Sequence, residues 1–391
     1  MVIRIYDRDP YVFEFEAAVT SVDNEYVTLD ATAFYPGGGG QTNDLGRICG
    51  LDVTDVTSKG DDIVHKVPGH SMRAGDKVWC SVDWERRYDM MAGHTAEHLL
   101  FGALKREVPE IGIVKIFIAP DSKYVIVDRD VDWEVIERAQ TSVNMSVIDN
   151  LNVTKSTMDR GDPELENVRA KMERIDGSVV TVVEIGDVDA AACSGMHVRE
   201  TGEITAVLVD RKVSAGKDGY AIHFRVGNDA VARSMELANK CLRIVDIMGT
   251  KPEDAVNAAQ NIKKDNDAKT EQLRTLLSQT VAGLRPETVG GVPVFSCVLP
   301  VNDRNVITNA AEKIRSTGGV SIFAAGGDTL SVYVSSASKN VDCASILKDV
   351  LTKFGGRGGG KNDFAQGGAP DASNADIVLN ELLRRVKDAL K

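Results

Sequence analysis

The chain changes period near residue 84, and that change constrains its architecture more than any other feature. Before it, apolar and polar residues alternate in short runs, VFEFEAAVTSV, EYVTLDATAFY, GRICGLDVTDV and DKVWCSVDW, separated by Gly, Asp and Asn. A period of two sends successive side chains to opposite faces of a strand, so these runs predict a small β-barrel or sandwich over residues 1–88. After it, in DWERRYDMMAGHTAEHLLFGALKREV, Met90, Met91, His94, His98, Leu99 and Ala103 recur at helical intervals, and a helix is predicted there.

Further along, the strand-like runs VKIFIA, KYVIVD, SVVTVVEIG and TGEITAVLVDRKV alternate with the amphipathic DWEVIERAQTSVNMSVIDN and PELENVRAKMERI. This predicts an α+β core over 89–227, a sheet with helices on one face. From 228 the strand signals vanish. NDAVARSMELANKCLRIVDIMG ends at Gly249, and Thr250 and Glu253 then have the spacing of a capping box, with Pro252 in the first turn. Val256, Ala259, Ile262, Leu273, Leu276, Leu277 and Val281 stripe this second helix, so 228–288 reads as a two-helix spacer or coiled-coil hairpin. A C-terminal α/β domain is predicted over 289–391. The whole is a multi-domain α/β and α+β chain, as 391 residues would suggest.

Composition excludes some classes. No stretch approaches the roughly 20 apolar residues of a membrane helix, and MVIRIYDRDPYVFEFE leads straight into strand-like alternation, so a cytoplasmic protein without a signal peptide is expected. The six cysteines are scattered without paired spacing, which argues against a disulfide framework. Net charge is −12, unfavourable for a polyanionic partner, but residues 291–391 hold 12 Lys and Arg against 10 Asp and Glu. A nucleic acid would therefore meet that tail or a local basic patch.

HTAEH at 94–98 offers two imidazoles on one helix face, a common way to present two ligands to zinc. With Glu97 it spells H-x-x-E-H, the inverzincin protease pattern, for which Glu173 is an available third ligand. ACSGMHV at 192–198 supplies a second pair instead, Cys193 and His197, a soft thiolate and an imidazole that a Gly-containing turn can close on one ion. The residues alone leave both completions open.

HTAEHLL followed far downstream by CSGMHV resembles the editing domain of alanyl-tRNA synthetases, where H-x3-H precedes C-G-G-T-H-V. FYPGGGGQTNDLGRI resembles the glycine-rich motif ahead of that domain, and GGRGGGKNDFAQGGAP the signature of the C-terminal DHHA1 domain. With the barrel beginning near Met1 and no aminoacylation domain ahead of it, the chain resembles the long-form AlaX editing proteins. The resemblance implies an enzyme that hydrolyses mischarged tRNA(Ala), chiefly the seryl ester with the glycyl ester second, and assigns Zn2+ to His94, His98, Cys193 and His197. Ser194 and Met196 depart from the usual Gly and Thr. Glu97, about 100° round the helix from His98, reads as a residue outside the metal's ligands or on the surface rather than the base. A non-catalytic, zinc-stabilised tRNA-binding module is the other alternative.

PGGGGQTNDLG at 36–46 reads, beside that resemblance, as a loop lining the pocket. Gly38 and Gly39 would allow close approach, and Gln41, Thr42 and Asp44 would recognise a serine hydroxyl. GGRGGGKN at 355–362 nearly spells a P-loop, but Asn362 replaces the magnesium-binding hydroxyl and CASILKDVLTKF before it reads as a helix rather than a strand. It is expected to be a loop that contacts tRNA phosphates through Arg357 and Lys361. A homodimer through the spacer and the C-terminal domain is the other expected partner.

Overall fold

In the computed structural model, which describes residues 2–170 and 177–391, the chain forms two compact units, Met1–Arg243 and Ile244–Lys391.

The first unit opens on a seven-stranded antiparallel sheet. Its strands run in the order Leu51–Val53, Gly46–Ile48, Lys77–Val82, Glu14–Asp23, Tyr26–Leu29, Asp62–Lys66 and Asp55–Lys59. The two end strands are separated in the chain by Thr54 alone, so the sheet has curled round until its edges meet. The expected barrel is thus nearly closed. The long strand Glu14–Asp23 makes the curl possible: its first half pairs with Lys77–Val82, its second with Tyr26–Leu29, and the register shifts between Val19 and Ser21. Such a bulge bends a strand and lets it serve both sides. Phe15, Val19, Val27, Phe34, Ile48 and Ile63 fill the interior.

Asp83 caps the helix Trp84–Glu107 by accepting from the Arg86 amide. The residues from Met90 to Leu104 are all buried, which makes this the central helix of the unit. Around it lie the four-stranded sheet Ile113–Ala119, Ser122–Val127, Tyr220–Val226 and Val207–Ser214, and the helix Trp133–Ile148. A second sheet is built from Val153–Asp159, Val179–Ile185 and Asp189–Ala192. The helix expected over PELENVRAKMERI is not formed in its described part: Pro163–Asn167 is a short 3-10 turn, and Arg169 then bridges to Ala191. Glu173 lies outside the described residues.

The helix Gly227–Met248 ends, as expected, at Gly249, whose φ is +64°. The capping box at Thr250 and Glu253 is not made: the turn Pro252–Asp254 is capped at Lys251 without a side-chain bond. In the second unit, the helix Ala255–Ala282 buries only Leu277 and Val281. They join the helix Arg304–Ser316 on one face of a six-stranded mixed sheet, with Cys343–Lys353 and Ala375–Leu390 on the other. The glycine run is a further correction. It is an edge strand, Arg357–Gly360, paired with Phe364–Ala369, rather than a loop. Gly358 lies where a Cβ would come within 3.0 Å of Leu347 and Leu351, so the strand packs on the helix Cys343–Lys353. No helix among the described residues is long and apolar enough to cross a membrane.

Candidate metal centre

His94 and His98 project from the central helix one turn apart. The turn after the strand Asp189–Ala192 brings Cys193 and His197 against them. The four donor atoms lie within 4.8 Å of one another. Cys193 Sγ is 3.5 Å from Nε2 of His94 and 3.5 Å from Nε2 of His197. Ligands around a tetrahedral zinc, at its usual bond lengths, stand roughly 3.3 to 3.8 Å apart.

The outer nitrogens support the same reading. Nδ1 of His94 faces Gln41 Oε1 at 2.9 Å, Nδ1 of His98 faces Asp189 Oδ2 at 3.1 Å, and Nδ1 of His197 faces Thr95 Oγ1 at 3.1 Å. Each partner can accept, because Thr95 spends its own proton on the Met91 carbonyl. With Nδ1 donating, the Nε2 of each ring in its neutral form presents a lone pair toward the others, as metal-bound imidazoles do. Gly195 makes the closure possible, since a Cβ there would stand 2.2 Å from Cε1 of His94.

Electrostatics prepares ligand forms. Burial opposes the Cys193 thiolate, but the adjacent His94 and the hydrogen bonds from the three histidines hold it well below the usual thiol range. Burial, with His94 nearby, drives His197 down to about 3 and keeps it neutral. On His98 burial also works against protonation, yet the Asp189 hydrogen bond and Cys193 overcome it and raise the imidazole to about 10.

Two cavities meet at the cluster. One is bordered by Ser194, Gly195 and His197, the other by His94, Glu97, His98 and Cys193, and Ser194 belongs to both. Gly38 stands in the wall of the first and Gly39 in that of the second. Gln41 reaches the centre through His94 and also accepts from the Met196 amide, while its Nε2 has no partner among the described residues.

Thr42 and Asp44 are placed otherwise than expected. Thr42 donates to Met90 Sδ at 3.1 Å and accepts from Arg86, away from both cavities. Asp44 is wholly buried against Arg87 and accepts the Tyr35 amide, so its oxygens are spent on holding the loop. Arg87 also donates to the Pro10 and Ala33 carbonyls and so ties the glycine-rich loop to the helix that carries His94. Its charge pattern gave no signal in sequence. Glu97 is not on the surface: it is fully buried, its carboxyl oxygens have no partner among the described residues, and burial raises its pKa. Arg357 is exposed on the edge strand, with exposed Lys361 just beyond it in the other unit.

Comparison with known proteins follows the same modules. The profile of the threonyl and alanyl tRNA synthetase second additional domain matches residues 180–218, that of class II (A) tRNA synthetases residues 9–86, and that of the DHHA1 domain residues 291–391. An alanine–tRNA ligase of Methanoregula boonei is 30% identical over 99% of this chain and 44% of its own length. One from Hyperthermus butylicus is 30% identical over 97% of this chain and 44% of its own. The chain thus spans less than half the length of these ligases. The alanyl-tRNA editing protein AlaX-L of Pyrococcus horikoshii is 29% identical over 98% of both chains. The profiles thus find part of a synthetase second additional domain and a DHHA1 domain in one chain. In extent and in these matched segments the chain is similar to that alanyl-tRNA editing protein. Nothing in these likenesses supports the expected homodimer.

Proposed function

We propose that this chain is an aminoacyl-tRNA deacylase that hydrolyses the ester of mischarged tRNA(Ala), the seryl ester first and the glycyl ester second. The observation that carries this reading is the cluster of three imidazoles and one thiol where two cavities meet. His94, His98, Cys193 and His197 would hold zinc. Zinc bound there would polarise the ester carbonyl or bring a water's pKa near neutrality.

The chain's own residues set up the rest. Gln41, Asp189 and Thr95 orient the three imidazoles, and Gly38 and Gly39 let the backbone approach the substrate, one in each cavity. Arg357 and Lys361 would contact phosphates of the tRNA body, which position a substrate without taking part in chemistry. The test is hydrolysis of seryl-tRNA(Ala) against a peptide, with and without a chelator. Zinc-dependent loss of the seryl ester alone is expected; peptide cleavage would mean a protease, and no cleavage of either a structural zinc module.

A further inference from the structure

We infer that the cavity bordered by His197 receives the phosphodiester backbone of the substrate's single-stranded 3′ end, with Arg4 and Arg8 as its phosphate contacts. The inference rests on the deacylase reading and assigns the two halves of that substrate to the two cavities.

A seryl ester on tRNA joins two unlike groups at the bond to be cut. On one side is a small acyl group, on the other a ribose followed by phosphates. The two cavities that meet at the ligand cluster differ in the same sense. The cavity at His197 has a volume of about 960 Å³, at the top of the usual range for small-ligand sites, so it admits more than a terminal ribose. Its charged lining is Arg4, Arg8, Lys155 and Arg199 against Asp7 and Asp9. Two of the cations are matched: Lys155 lies 3.6 Å from Asp7, and Arg199 lies 3.1 Å from Asp9. Arg4 and Arg8 are exposed and have no ion-pair partner among the described residues. Guanidinium is the side-chain group best suited to phosphate oxygens.

The second cavity suits phosphate less well. Phe101, Ile111, Ile113 and Val114 form much of its wall. Of its cations, Arg169 pairs with Asp189 and Lys105 donates to the Ile111 carbonyl, while Lys105 and Lys115 have no ion-pair partner among the described residues, so the apolar wall is what sets this cavity apart. The position of the arginines also follows from the fold. The short strand Ile3–Arg4 pairs with Ala31–Thr32, and the turn Ile5–Arg8 continues from it, so residues 3–8 are fixed beside the cavity.

Two non-hydrolysable probes test this, 3′-serylamino-adenosine and the same group on the trinucleotide CCA, which adds phosphodiesters. The full-length protein should bind the trinucleotide more tightly than the nucleoside, and that gain should weaken with salt. Arg4→Gln with Arg8→Gln should remove most of the gain, lower the slope of log affinity against log salt by about 1.4, and leave nucleoside affinity unchanged. An unchanged gain and slope in the double variant would overturn the inference; Lys115→Gln would then be the variant to lose them. Equal weakening of both probes would also overturn it, because the arginines would be shaping the site rather than binding phosphate. Wild-type protein that binds the nucleoside with no gain from the trinucleotide refutes the inference alone. Protein that binds neither refutes the deacylase reading beneath it.

Discussion

At the scale of single residues, the proposed centre depends on groups outside its four ligand candidates. Asp189 fixes the ring of His98 while it is itself held by Arg169. Losing such an outer partner typically costs 10- to 100-fold in metal affinity, so Asp189→Asn should weaken zinc binding by about that factor, measured by competition with a chromophoric chelator. Gly195→Ala places a methyl 2.2 Å from the His94 ring. This variant should bind little zinc yet keep its fold, which zinc content and far-ultraviolet circular dichroism together would show. Thr42 points at Met90 and Arg86 rather than a cavity. Thr42→Val should therefore leave the seryl-to-alanyl rate ratio unchanged, and a change of tenfold or more would return Thr42 to the acyl site.

At the scale of elements, His65 shows how the sheet of the first unit responds to pH. It is fully buried between Thr32 and the Val27 carbonyl, and burial, against that backbone bond, lowers its pKa to about 4. In the unfolded chain the ring protonates near pH 6.5. Between pH 6.5 and about 4 the unfolded state thus binds more protons, so the stabilisation is complete above that window and is lost as pH falls through it. Its size is on the order of 3 kcal/mol. His65→Asn should flatten the fall in melting temperature across this window relative to the natural protein. The same residue explains what the sequence hid. The strand Glu14–Asp23 and the helix Trp84–Glu107 were legible because their apolar residues keep one period. Asp62–Lys66 was not, since a buried histidine sits where alternation calls for an apolar residue. Arg357–Gly360 has almost no side chains to carry a period and is defined by backbone pairing alone. The four residues that cluster were legible as two short motifs and a resemblance. Asp189 and Thr95 were not, because their roles arise only when the helix and the Cys193 turn meet.

At the scale of the whole molecule, each unit has its own core, the ligand cluster lies in the first, and Arg357 and Lys361 lie in the second. Arg357→Gln with Lys361→Gln should therefore reduce affinity for full-length tRNA and flatten its salt dependence, while cleavage of a short acceptor-stem mimic stays near that of the natural protein. Equal losses on both would tie the second unit to the catalytic step. In the proposed function His94, His98, Cys193 and His197 form a catalytic zinc centre. The most direct measurement is the rate of seryl-tRNA(Ala) hydrolysis as zinc is titrated into metal-free protein. The rate should rise from near zero to a plateau at about one zinc per chain, and Cys193→Ala should remove both the tight binding and the recovery. Full hydrolysis by the metal-free protein, or one bound zinc without hydrolysis, would contradict the claim.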